Sequence, residues 1–373
     1  MADQALAQSG ALKRPLHVPQ HAKVFENEGV RVRSVGDCLL CGKHGQPLYA
    51  GLRDRLFDAP GVWSLFRCED CGLLWLNPQP IPEDIPKLYR TYLTHQNNGR
   101  CPRPLRFRDK LLQATRAMAL QYETLLPGPK WRWLGRLTCA VPLLRDLAAG
   151  SLMFLESSSR GRLLDVGCGN GTLLAAMRAL GWDVLGIEPD PEAARIAREV
   201  GKLPVVTGSL EDARLPAGSF DAVTVSHVIE HVPDPRALLR ECSRLLSSGG
   251  QLIVATPNVQ SLGHKMFRAS FFHLDPPRHL HLFSTQTLQA LAETAKFHVT
   301  TIRTLSRTSR DIYIYSRRIR RGGWIGWGVS GRPSLLQQCA AWNFWLREEA
   351  ARCCSLGGGE ELLLIARKAD EGD

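Results

Sequence analysis

The feature that most constrains this chain is the run Leu163-Leu164-Asp165-Val166-Gly167-Cys168-Gly169-Asn170-Gly171-Thr172. A short apolar stretch ends in an acidic residue, three glycines follow at alternate positions, and Leu173, Met177 and Leu180 then recur at helical spacing. The pattern predicts a strand, a tight turn and a helix. Such a turn requires glycine because a Cβ would block either the backbone angles or the approach of a ligand to the peptide groups. A ligand is therefore expected across residues 165–171. The dinucleotide fingerprint places its third glycine one residue later, where Thr172 stands, and has no counterpart of Asp165. An acidic side chain there can face a cation, and alternate glycines leave room for a ligand without a pyrophosphate. An ordinary glycine-rich turn is the structural alternative, so the rest of the chain decides.

Further strands follow at the spacing of strand–helix–strand units. Asp183 to Glu188 ends in an acid able to accept both hydroxyls of a ribose, and Asp190-Pro191 then opens a helix as cap and first turn. Val205 to Thr207 leads into Leu210-Glu211-Asp212, Phe220 to Ser226 opens onto His227-Val228-Ile229-Glu230-His231, and Gln251 to Asn258 makes a fifth strand. Strands alternating with helices imply a parallel sheet covered on both faces, with ligands outside the carboxyl ends of the strands. Asp165, Glu188, Glu211 and His227 all fall there.

The opening run resembles motif I of the class I S-adenosylmethionine (SAM) dependent methyltransferases. The block from Glu230-His231-Val232-Pro233-Asp234-Pro235 through Gly249-Gly250 to Thr256-Pro257-Asn258 resembles their ubiquinone-biosynthesis O-methyltransferase-like branch. The resemblance covers about residues 160 to 305. It implies an α/β, Rossmann-like, seven-stranded methyltransferase sheet with helices on both faces and SAM as cofactor. On it, Asp165 lies near the methionine moiety, and Gly167, Cys168, Gly169 and Gly171 underlie the cofactor. Glu188 and Pro189 reach the ribose, Leu210 and Glu211 the adenine (with Asp212 competing), and Ser226 and His227 complete the cofactor site.

Methyl transfer needs the nucleophile aligned and a proton removed from the acceptor, and histidines suit that second task near neutral pH. Asp275-Pro276-Pro277-Arg278-His279-Leu280-His281-Leu282-Phe283-Ser284 resembles the R-H-x-x-x-F-S stretch of the same branch. His279 is the first candidate base and His231 the second, with Glu230 and His227 beside them. The structural alternative is that each histidine only bonds loop backbone.

Upstream, Cys38-Leu39-Leu40-Cys41-Gly42 and Cys68-Glu69-Asp70-Cys71-Gly72 form two C-x-x-C-G knuckles, the usual way to hold four thiolates around a structural Zn2+. Redox pairs or free thiols are the alternative. The continuation through Asn77-Pro78-Gln79-Pro80 to Tyr89 and Tyr92 resembles the zinc-binding module of bacterial methyltransferases associated with sugar and surface-polysaccharide modification. That implies a small zinc-ribbon-like domain, with Tyr89 and Tyr92 either covering the substrate or packing the module.

The expected division is a flexible leader over 1–33, the zinc module over 34–98, a helical linker or lid over 99–159, and the SAM domain over 160–373 with an insertion at about 317–358. The linker alternates arginine with tryptophan. Such a segment either rests on an anionic membrane surface or packs its aromatics on the next domain, and the latter is the commoner outcome. The formal net charge of +11 favours acidic partners. Eleven cysteines suit a reducing compartment, and no membrane span or signal peptide is evident, so the expected location is cytoplasmic, either free or peripheral to the inner face of the membrane. The expected acceptor is a small molecule or sugar, nucleotide- or lipid-linked, methylated at a hydroxyl or carbon. Alternatives are an RNA methyltransferase gripping RNA through the zinc module, disfavoured by the few basic residues there, and an inactive interaction protein.

Overall fold

The computed structural model describes residues 24–89, 106–322, 333–354 and 358–369. Tyr92, and residues 1–23 of the expected leader, lie outside the described residues. The largest sheet has seven strands: β1 (Arg162–Val166), β2 (Asp183–Glu188), β3 (Val205–Thr207), β4 (Phe220–Ser226), β5 (Leu246–Pro257), β6 (Phe297–Leu305) and β7 (Glu361–Lys368). Their order across the sheet is β3-β2-β1-β4-β5-β7-β6. Strands β1 to β5 are parallel, and β7 runs antiparallel between β5 and β6. The expected α/β class and seven-stranded sheet are thus present. Strand order reverses between β1 and β4, and an open α/β sheet leaves a crevice at such a switch point.

Both faces of the sheet are covered because its strands are apolar on both sides. Leu164, Val223 and Val254 pack under α6 (Pro235–Leu245) and α8 (Thr285–Thr294). The alternate residues Leu163, Ala222 and Ile253 belong to the other core, with α4 (Thr172–Ala179) and α5 (Pro191–Glu199). The Asp-Pro starts act as expected. Asp190 accepts from the Glu192 amide at 2.9 Å, and Asp234 from those of Arg236 and Ala237 at 3.0 and 2.9 Å, while each following proline lacks an N–H that would need a partner.

The N-terminal module is not a separate bead. Its antiparallel strands Gly45–Leu52, Trp63–Cys68 and Leu74–Leu76 are joined at the edge by His281–Leu282, with His281 opposite Trp75 and Leu282 opposite Leu74. Leu40, Leu73 and Trp75 share one core with Leu238 and Leu239 of α6. The described part of the leader also needs correction. Val24–Asn27 and Val30–Arg33 form a hairpin whose second strand pairs with Gln79–Pro80. The alternation Val30-Arg31-Val32-Arg33 is a period of two, both valines are fully buried, and Gly29 takes the left-handed turn position at φ +91°.

The segment 106–150 carries α1 (Phe107–Ala119), α2 (Trp131–Cys139) and α3 (Pro142–Gly150). Trp131 is buried, with its ring 5.3 Å from that of Phe107 in α1, whereas Trp133 is 78% exposed. Between β5 and β6 lie α7 (Leu262–Phe267) and α8, and the connection from β6 to β7 carries α9 (Ser309–Gly322) and α10 (Leu335–Cys353). The insertion is therefore wider than 317–358: its first helix begins at Ser309, where Ile312 and Ser316 are buried beneath an arginine-rich face.

Candidate active site

The glycine turn follows β1 directly. Gly167 and Cys168 both donate to the Ile187 carbonyl, at 2.8 and 3.1 Å, which curls the chain back over β2. Gly167, Gly169 and Gly171 have φ of +71°, +55° and +79°, so all three hold left-handed conformations that other residues rarely adopt. A Cβ on Gly167 would stand 2.3 Å from Val228 Cγ2, whereas one on Gly169 would meet nothing within 4 Å. The turn is closed beneath and open above Gly169. Cys168 departs from its expected place, because its side chain is buried against Gly186 and leaves only its backbone to a ligand.

Two buried acids flank the turn. Glu188 accepts from the amides of Gly169 and Asp190, each at 2.8 Å, and burial pushes its pKa up. Asp165 is 4% exposed and accepts from Thr224 Oγ1 at 2.7 Å. Burial outweighs that hydrogen bond, and with the nearby Glu188 charge it pushes the Asp165 carboxyl to about 7. Buried carboxylates with no cationic partner among the described residues suit a cationic, hydroxyl-bearing ligand. Leu210 is buried beyond β3 and Glu211 is exposed next to it, while Asp212 is engaged with Ser209 Oγ at 2.7 Å. Pro189 is exposed after β2, and Ser226 ends β4.

Beyond β4, the polypeptide gathers histidines. His227 sits at φ +53° and places Nδ1 3.3 Å from Glu230 Oε1 and Nε2 3.0 Å from Glu361 Oε1. Burial works against the cation, but the two carboxylates outweigh it and raise His227 to about 10, so it is an imidazolium. Glu361 is in turn gripped by Arg307 Nη2 at 2.6 Å, and Glu230 accepts from Thr256 Oγ1 at 2.9 Å. His279 donates from Nδ1 to the His273 carbonyl at 2.7 Å, and its Nε2 lies 3.9 Å from Asp275 Oδ2. His231 Nδ1 lies 3.1 Å from both the Arg278 carbonyl and Tyr89 Oη, and its ring meets His279 edge-on at 4.7 Å. Burial and the neighbouring His279 lower His231 to about 4, so it is neutral and resists protonation.

Thus the four expected catalytic residues do meet, and the backbone bonds expected of idle loop histidines are also present at His231 and His279. Glu230, His231 and His279 bring potential ligand atoms within 4.8 Å of one another, a spacing a metal ion could bridge through the free nitrogens. Sequence reasoning missed Glu361, Arg307 and His273. Glu361 and Arg307 flank the insertion and only the folded β6–β7 hairpin brings them to His227. His273 Nε2 is buried without a hydrogen-bond partner among the described residues, and nothing in Phe271-Phe272-His273-Leu274 singles it out.

Each cysteine knuckle turns on its glycine, Gly42 at φ +72° and Gly72 at φ +79°, with amides donating to the Cys38 and Cys68 carbonyls at 2.9 and 3.0 Å. All four sulfurs lie within 4.8 Å of one another, and Cys38–Cys71 and Cys41–Cys68 are 3.4 and 3.3 Å apart. Thiolates about 2.3 Å from a tetrahedral zinc stand about 3.8 Å apart, so the donor set fits that ion. The module also holds the histidine loop. Arg278 is fully buried and reaches Asp54 with bonds of 2.6 and 2.9 Å, and Leu76 N donates to the Leu280 carbonyl at 3.0 Å.

A family model described as a methyltransferase domain matches residues 143–302. A ubiquinone biosynthesis O-methyltransferase of Xanthomonas oryzae pv. oryzae is 46% identical over 103 residues, which are 26% of this chain and 43% of that protein. Its counterpart from Xanthomonas axonopodis pv. citri is 47% identical over the same shares. The chain therefore spans less than half the length of these curated relatives. A SAM-dependent methyltransferase from Archaeoglobus fulgidus superposes with a TM-score of 0.40 at 22% identity, over 65% of this chain and 95% of that one, a likeness too low to add to the strand order. By its sheet, its glycine turn and the family-model match over residues 143–302, the chain carries a methyltransferase domain, joined to a four-cysteine module.

Proposed function

We propose that this protein transfers a methyl group from SAM to a hydroxyl of a small-molecule acceptor, either a sugar or a lipid-linked compound. The carrying observation is the pair of buried carboxylates, Asp165 and Glu188, around an open glycine turn, with the histidine loop next to it through Val228 on Gly167. SAM supplies a methyl group on a positively charged sulfur. Asp165 faces that charged moiety as a carboxylate and Glu188 accepts from the ribose hydroxyls. His279 Nε2 takes the acceptor's proton as the carbon–oxygen bond forms, with His231 next to it. The names of the Xanthomonas relatives favour oxygen over carbon. Zinc in the four cysteines braces the loop and takes no part in the chemistry, since a four-thiolate site is coordinatively closed.

RNA is the weaker alternative, because the module spends its apolar surface on α6. Calorimetric titration with SAM and its demethylated product, on protein of measured zinc content, tests the proposal. Micromolar binding that falls at least about 30-fold in Asp165→Asn is expected, a loss of about 2 kcal/mol. A folded, zinc-replete protein that binds neither compound would refute it. Nucleotide sugars and lipid-linked phenols are the first acceptors to screen.

A further inference from the structure

We infer that the exposed face of α2 is a docking surface for an anionic phospholipid bilayer. Trp133 is 78% exposed, Leu137 70%, Phe107 66% and Val141 45%. Trp133 and Leu137 are one turn apart on α2, whose opposite side is fixed inward by Trp131 and by Gly135, where a Cβ would stand 2.6 Å from the Ala114 carbonyl. The Phe107 ring lies 5.3 Å from Trp131, on the inner side of α2. A single exposed leucine needs no explanation, but a tryptophan and leucine facing water together on a helix with an anchored inner face do.

The charges decide what covers this face. Residues 106–146 contain eight arginines and lysines against three acids, and α2 itself has no acid. Asp146 is buried and spent on Arg303 at 2.8 Å, and Glu123 on Arg132 at 3.0 Å. Lys130 and Arg136 are exposed beside the tryptophan. A second copy of this chain would bring the same cations against each other across a two-fold axis, which disfavours a dimer through this face. Nucleic acid would satisfy the cations but has no use for leucine and valine side chains. A bilayer with anionic headgroups answers both: the indole and aliphatic side chains enter the boundary of the acyl region while the basic side chains meet phosphate. The surface lies mostly ahead of residues 143–302 and does not depend on the proposed chemistry.

The test is co-sedimentation of the full chain with vesicles of phosphatidylcholine alone or with 3:7 phosphatidylglycerol. Binding to the anionic vesicles only is expected, weakening at least tenfold in 0.5 M salt. Trp133→Ser with Leu137→Ser should cut partitioning at least tenfold. Lys130→Gln with Arg136→Gln should cut it roughly 25-fold, at about fivefold per cation. All variants change exposed side chains, and unaltered SAM binding would show them folded. No partitioning of the parent chain, or equal partitioning of the Trp133/Leu137 variant, would overturn the inference. So would a parent dimer that the same double substitution turns to monomer without any vesicle binding.

Discussion

The buried Arg278–Asp54 pair makes a prediction that can be worked through. Both side chains are fully buried, their two bonds are 2.6 and 2.9 Å long, and they join a loop of the cysteine module to the turn carrying His279. Asp54 also accepts from the amides of Leu56, Phe57 and Ala59 at 2.8, 3.1 and 2.9 Å. Asp54→Ala removes all of this and leaves the buried guanidinium paired with Asp275. Breaking a buried pair from one side costs about 3–5 kcal/mol. Arg278→Met leaves Asp54 bonded to its three amides and should cost about 3 kcal/mol. The double variant strands no arginine, so its loss should be about 4–5 kcal/mol rather than the 6–8 of the sum, a coupling of roughly 2–3 kcal/mol. Urea unfolding of the four proteins, read by tryptophan fluorescence, measures the cycle. The acceptor turnover of each single variant should fall at least tenfold while SAM affinity stays within about twofold, because Asp165 and Glu188 lie on other strands. Effects that add to within about 0.5 kcal/mol would refute the coupling, and an equal loss of SAM affinity would refute the division of labour.

Two further outcomes are expected. Removing zinc with a strong chelator, or replacing Cys41 with serine, should lower the melting temperature by at least about 5 °C and slow methyl transfer more than SAM binding, since the module borders the histidine loop; retained turnover in metal-free protein would sink this role. SAM affinity should rise with pH up to about 7 and level off above it, because Asp165 is held near 7 by burial and must be ionised to face a cation. The ligand-free chain should behave in the opposite sense: a carboxyl raised from 3.8 contributes stability that is present below about 4 and lost as pH rises through about 7. Asp165→Asn should flatten both profiles, as read by calorimetry and by melting across pH 4–8.

Local pattern carried a large share of the architecture. The glycine turn, the Asp-Pro helix starts and the C-x-x-C-G knuckles each encode their geometry within a few residues, so sequence and structure agree there. What escaped depends on distant partners. The Val30–Arg33 alternation spans only four residues, and the Gln79–Pro80 neighbour it pairs with lies more than forty residues on. The imidazolium character of His227 needs Glu361, which lies 134 residues away, and Cys168 looked like a ligand-facing residue until Gly186 made room for its sulfur in the core. Exposure of Trp133 could not be read either, because tryptophan and arginine at helical spacing suit a buried contact as well as an open one.

The borrowed strand His281–Leu282 has a consequence for how the protein is made. The three earlier strands of that sheet leave the ribosome about 200 residues before their edge partner exists, at a synthesis rate that makes the delay roughly 10–40 s. Throughout that interval Leu74-Trp75-Leu76, buried in the finished protein, would offer an open backbone edge to any other nascent chain. Cysteine ligation of metal can hold the module meanwhile but cannot close the edge. A fragment ending before residue 281 should therefore aggregate through this strand, and supplying the missing segment as a peptide in trans should restore its solubility.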